Sequence, residues 1–320
     1  MTTKHLLVVG FTILSSAGVA ARLNPPSATP IVMPFVTGLE GGAGSTIGPR
    51  GALYVTEPAA GRVSRVDPGT GNITTFASGL PPAIVGIGGA MDVVFHRETA
   101  YVLVTLVGPD VGGSDVVGIY RVDGPTSFSV IADIGEFAVA HPPSTPFDVP
   151  TGLQYALDVY RGAFLVTDGH HNRVLHVTLD GTVSELIAFG NIVPTGLALS
   201  GNTVYMAEAG PVPHLPEDGK VVAFRPKEPV AAEVASGARL LVDVEFGRGH
   251  RLFALSQGEF GGGPAGSPAL PDTGALFRVN HDGTLAVVVD RLNLPTSIEF
   301  IKDTAYVVTL TGEIWKIDGV

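Results

Sequence analysis

Six copies of one pattern run through this chain, and they limit its fold more than any other feature. In each copy a short β-run ends on a polar or small residue, a turn follows, and a second β-run begins. The clearest copies are Leu53–Glu57 leading to Arg62–Asp67, Phe164–Asp168 leading to Arg173–Val177, and Val204–Glu208 leading to Lys220–Phe224. Self-similarity at this period belongs to solenoids and propellers, in which each unit buries its apolar face only against its neighbours. The 42 glycines and 25 prolines suit many short strands joined by tight turns.

The repeats divide into blades at about 44–80, 90–135, 148–190, 193–237, 240–292 and 295–320. The last lacks a fourth strand. Val32–Leu39 resembles the fourth strand of blade one, Ile73–Leu80, and both end Phe-x-x-Gly-Leu. The expected fold is therefore all-β: a six-bladed β-propeller, residues 32–320, with the N-terminal strand closing the last blade. Closure of this kind protects the sheet edges.

The first 22 residues read as a secretory signal. Lys4 supplies a positive start, Leu6 to Ala20 an apolar run short for a bilayer, and Gly18–Ala21 small residues for cleavage. Retention as an anchor is the alternative. Residues 23–31 read as a linker. The expected location is secreted, extracellular or periplasmic, with no stable membrane span after cleavage. The chain has no cysteine, so a lipid anchor on cysteine and disulfides are both excluded. A net charge of −11 with only 19 basic residues, none clustered, argues against nucleic acid and favours neutral or cationic partners.

Three blades begin alike: Pro150-Thr151-Gly152, Pro194-Thr195-Gly196 and Pro295-Thr296-Ser297. Small residues let innermost strands crowd an axis. The hydroxyls of Thr151, Thr195 and Thr296 are candidate ligand contacts at the channel mouth. Long insertions at Gly108–Asp115, Glu136–Pro146, Gly210–Gly219 and Gly258–Gly274 are expected on one face, where binding is usually built.

Aligning the ends of the second strands places Glu57, Val104, Asp168, Glu208, Ser256 and Thr309 in one ring. Glu57, Asp168 and Glu208 are candidate ligands for one divalent cation, calcium above others, because hard cations take oxygen donors. Turn capping is the alternative role for such acids. Ser256 and Thr309 add hydroxyls. His141, His170, His171 and His214 fall in the upper loops. His170 and His171 are candidate proton acceptors, and His141 a ligand contact. Exposed aromatic candidates are Phe147, Tyr155 and Phe260. No Gly-x-Ser-x-Gly elbow, phosphate-binding glycine loop or cysteine nucleophile occurs.

Val166-Thr167-Asp168-Gly169-His170-His171-Asn172-Arg173-Val174 resembles the NHL repeat, a propeller blade. Phe35-x-x-Gly38-Leu39, Gly48-Pro49-x-Gly51-x-Leu53-Tyr54-Val55-Thr56-Glu57, the two Pro-Thr-Gly starts and Asp67-x-x-Thr70-Gly71 together resemble the ScyD/ScyE family of exported propellers. That resemblance implies an exported six-bladed propeller with no settled activity. Gluconolactonase-like propellers bind an axial cation through Glu, Asp and the Asn of a Pro-Asn-Gly. Here Thr replaces that Asn. Strictosidine-synthase-like propellers use a Glu near the channel, a place Glu208 could take. Two functions follow as expectations: a binding module for a small molecule or extracellular polymer, or a metal-dependent hydrolase or lactonase.

Overall fold

The computed structural model describes Met1, residues 29–264 and residues 266–320. The signal and most of the linker lie outside the described residues. The rest forms six four-stranded antiparallel sheets arranged as blades. Blade 1 holds β2 (Ser45–Ile47), β3 (Leu53–Glu57), β4 (Arg62–Val66) and β5 (Ile73–Ser78). Blade 2 holds β6 (Gly89–His96), β7 (Thr99–Thr105), β8 (Gly118–Gly124) and β9 (Ser127–Asp133). Blade 3 holds β10 (Gln154–Tyr160), β11 (Ala163–Asp168), β12 (Arg173–Val177) and β13 (Val183–Ala188). Blade 4 holds β14 (Pro194–Ser200), β15 (Thr203–Glu208), β16 (Lys220–Arg225) and β17 (Glu228–Ser236). Blade 5 holds β18 (Leu241–Gly247), β19 (Arg251–Ser256), β20 (Gly274–Val279) and β21 (Leu285–Leu292).

Blade 6 is made from both ends of the chain. β22 (Pro295–Ile301), β23 (Thr304–Thr309) and β24 (Ile314–Asp318) are completed by β1 (Ile31–Val36), in the order β1-β24-β23-β22. The register runs from Ile31↔Asp318 to Val36↔Ile314, with an irregularity after Pro34. Pro34 lacks an N–H to donate, and an outer edge strand is where that loss is tolerated. The expected ring closure is thus the one observed.

The blades stack through aromatic side chains at one register. Tyr54 of β3 meets Phe95 of β6 edge-on at 4.7 Å, and Tyr205 of β15 meets Phe246 of β18 at 5.2 Å. Phe253 of β19 meets Phe300 of β22 at 4.8 Å. Each ring seals one blade against the first strand of the next, which fixes how those first strands line the axis.

The segment expected as a loop at Glu136–Pro146 begins with a short helix, α1 (Ile134–Ala140). Asp133 caps it by accepting from the Glu136 N–H. Among the described residues no helix is long and apolar enough to cross a membrane.

Candidate functional site

The first strands enclose a cavity of about 620 Å³ along the axis. Its mouth is built from Phe147, Tyr155, His170, Pro211, His214 and Ser267, all on or beside the loops above the strands. Its walls lower down carry Asp92, Asp158, Asp243, Glu245 and Glu299. No Lys or Arg lines it. The cavity therefore favours a neutral or cationic guest and repels anions.

Strand periodicity explains these acids. Alternate residues of β6, β10, β18 and β22 point to the axis. Asp92 and Asp243 occupy equivalent places in blades 2 and 5, beside the register shifts of β6 and β18. Asp92 accepts from the Val93 N–H and, in the next blade, the Leu157 N–H, both at 2.8 Å. Asp243 accepts from Val244 and, in the next blade, Ile298, again both at 2.8 Å. The preceding blade contributes Gly44 beside Asp92 and Gly196 beside Asp243, where any Cβ would collide with the Asp side chain. Two residues further down each strand lie Asp158, Glu245 and Glu299. Burial pushes Asp158 and Asp243 up to about 7. Burial and then mutual repulsion, led by Glu245, hold Glu299 well above the usual carboxylate range. The Glu299 carboxyl makes no hydrogen bond among the described residues, although its backbone in β22 pairs with β23.

The three acids named as cation ligands are not brought together. Each faces the basic residue that starts the next strand of its own blade: Glu57↔Arg62, Asp168↔Arg173 and Glu208↔Lys220. Glu57 accepts from Arg62 Nε at 2.8 Å, from Ser64 and from the Glu40 N–H. Burial works against its charge, but Arg62, Ser64 and Glu40 hold it below the usual range. Asp168 accepts from Arg173 Nε and Gln154 Nε2, each at 2.9 Å. Glu208 is buried with no hydrogen-bond partner among the described residues, and burial pushes it up to about 7. None of the three lines the cavity. Among the described residues no group of three or more His, Cys, Asp or Glu is placed to hold a metal ion. A calcium site built on these positions does not fit, because the oxygens of Glu57 and Asp168 are already committed to arginines.

The histidines divide. His170 lines the mouth, with Nε2 3.3 Å from the Tyr155 hydroxyl, and burial lowers its pKa. His171 does not face the cavity. It is buried, with Nε2 3.0 Å from the Val149 carbonyl and Nδ1 3.1 Å from both Arg173 and Asp168 Oδ2. His141 is exposed, stacked on Phe137 at the end of α1, and away from the cavity. His214 is buried at the mouth, 2.7 Å from the Gly210 carbonyl.

The hydroxyls mostly join blades. Thr195 donates to the Leu241 carbonyl at 2.9 Å, and Thr296 to the Gly42 carbonyl at 3.1 Å; both still line the cavity. Thr151 donates to Asp110 at 2.8 Å, Ser256 to the Arg239 carbonyl at 2.6 Å, and Thr309 pairs with Thr311 at 2.9 Å. Those three lie off the cavity. Of the aromatic candidates, Phe147 and Tyr155 line it, while Phe260 packs behind His214.

The five axial acids were missed by sequence reasoning. Their signal was present: an acid between two apolar residues within a first strand, as in Met91-Asp92-Val93, Leu157-Asp158-Val159, Val242-Asp243-Val244-Glu245-Phe246 and Ile298-Glu299-Phe300.

No protein-family model matches the chain, and no curated protein matches it. Solved structures do. A gluconolactonase from Xanthomonas campestris is 13% identical with a TM-score of 0.63, covering 91% of this chain and 90% of its own. A PQQ-bound aldose sugar dehydrogenase from Streptomyces coelicolor is 14% identical at 0.60, covering 92% and 99%. Virginiamycin B lyase from Staphylococcus aureus is 13% identical at 0.54, covering 91% and 99%. At such identities the likeness shows the fold, a six-bladed β-propeller, and nothing of the chemistry.

Proposed function

We propose that this chain is an exported propeller of the ScyD/ScyE type whose axial cavity binds a small neutral or cationic molecule. One observation carries the reading: a cavity of about 620 Å³ lined by six carboxylates, the five axial ones and Asp148, and by no Lys or Arg. Carboxylates accept hydrogen bonds from hydroxyl and ammonium donors, and Phe147 and Tyr155 supply apolar area at the mouth. Thermal-shift screening of the mature chain against neutral sugars, organic ammonium ions and matched anions tests it. Stabilisation by the first two classes, weakened in Glu299→Gln, supports the reading. Stabilisation by anions alone would sink it.

A second reading rests on His170. Its neutral imidazole beside Tyr155, at the mouth of the cavity, could accept a proton from a bound substrate. Gluconolactonase and lyase propellers share the fold, so hydrolysis or elimination is the reaction class to screen. Turnover lost in His170→Ala and kept in His171→Gln would favour it. No step is drawn through a metal, since the candidate ligands do not fit one.

A further inference from the structure

The lower face, opposite the cavity mouth, carries a second feature. Turns between first and second strands there hold Arg50, Arg97, Arg161, His250 and Lys302, with φ of 63°, 57°, 52°, 59° and 62°. These are left-handed conformations that Gly, Asn and Asp adopt readily and residues with longer side chains resist. Five of six blades thus place a basic residue where turn chemistry favours another type. Such outliers persist where a function keeps them. All five are exposed. Glu98 and Asp303 share two of these turns, and Asp303 pairs with Arg248 at 3.3 Å, so the free positive charge of the rim gathers elsewhere.

Blade 4, the remaining one, completes the pattern differently. Its turn is Gly201-Asn202, but its outer turn brings Arg225 and Lys227 beside Arg161. Together with Tyr160, Asn202, Thr203 and Glu228 they line a depression of about 500 Å³ between blades 3 and 4. Arg161 lies over the Tyr160 ring at 5.7 Å and hydrogen-bonds Asn202 across the blade seam. Among the described residues, Arg161, Arg225 and Lys227 make no ion pair. Three cations against the single acid Glu228 leave this depression net positive, which suits an anionic group, and further basic residues spaced round the rim suit a chain that repeats it.

We propose that the lower rim binds an acidic polysaccharide, with Arg161, Arg225 and Lys227 holding one of its carboxylate or sulfate groups. Among the described residues no exposed Phe, Tyr or Trp stands on these turns to stack bases, which favours a glycan over single-stranded nucleic acid. The proposal is independent of the cavity's ligand. Polygalacturonate is the probe, with neutral dextran as control, by calorimetry on the mature chain at about 20 mM salt, where screening is slight. Wild-type protein should bind polygalacturonate and not dextran. The triple variant Arg161→Asn, Arg225→Ser, Lys227→Ser should bind about tenfold more weakly, the sum of three exposed charge contacts. Asn adopts the left-handed turn readily, so the variant should melt no lower than wild type, which separates lost binding from lost folding. Asp243→Asn should bind polygalacturonate as wild type does. No wild-type binding, or equal binding by the triple variant, overturns the proposal.

Discussion

Replacing Asp158 by Asn isolates the electrostatic cost of the axial acids. The Asp158 carboxyl accepts from one backbone donor, the Val159 N–H at 2.6 Å, and an Asn carbonyl can accept the same bond. Shape and hydrogen bond survive while the charge goes. Burial, reinforced by the Asp243 charge, pushes this carboxyl from 3.8 to about 7. At about 1.36 kcal/mol per pH unit that rise bounds the cost near 4 kcal/mol. The cavity opens to water, which screens the charge, so about 1–2 kcal/mol is expected. The sign follows from linkage. The folded carboxyl binds its proton more tightly than the unfolded one, so wild-type stability is lost as pH rises from about 4 to about 7. Asp158→Asn escapes that loss. Its advantage should be near zero at pH 4 and complete by pH 8, a rise in Tm of about 2–6 °C. Calorimetry at pH 4, 6 and 8 reads this directly. An advantage of equal size at every pH, or a variant less stable than wild type at pH 8, refutes the reasoning.

Three further outcomes follow from the structure. Arg173→Ala strands a buried Asp168 charge and should cost about 3–5 kcal/mol in urea unfolding; an unchanged midpoint would show that Arg173 does not hold Asp168 in solution. Elemental analysis of wild-type and Glu208→Gln proteins should give the same metal content, and loss of one bound ion in the variant would restore an axial metal site at that ring. Deleting residues 1–36 removes β1 and bares the β24 edge, so the shortened chain should associate on sizing columns; a stable monomer with unchanged Tm would show that closure contributes little.

Much of the fold was legible because a propeller repeats its signals. Phe35-x-x-Gly38-Leu39 and Phe76-x-x-Gly79-Leu80 marked equivalent strands, which located the closing strand before any coordinates did. The ring of second-strand ends was also legible, since Glu57, Asp168 and Glu208 do occupy one register. Its meaning was not. The basic residue that begins each following strand was read as part of a repeat, yet in the structure it is the partner that neutralises or faces the acid. His170 and His171 show the same limit. They are neighbours in sequence, but the turn that Asn172 closes at φ 55° sends one ring to the cavity and the other into the blade. One residue of backbone decides between a site and a strut, and periodicity does not report it.

The axial acids add an order of their own. Taken round the ring, the position of Asp92 reads Gly44, Asp92, Ala156 in blades 1 to 3 and Gly196, Asp243, Ser297 in blades 4 to 6. The pattern repeats after three blades, not one. Each aspartate reaches over the glycine before it and binds the backbone N–H of the blade after it, so each trio is stapled by one carboxylate. Below them the symmetry breaks. Blades 3, 5 and 6 supply Asp158, Glu245 and Glu299, while Thr46, Val94 and Ala198 occupy the matching places. A structural staple has reason to repeat with the fold, whereas a surface that recognises one molecule has reason not to. The upper pair thus belongs to the ring's architecture, and the uneven lower acids, Glu299 among them, are where the proposed binding would draw its selectivity.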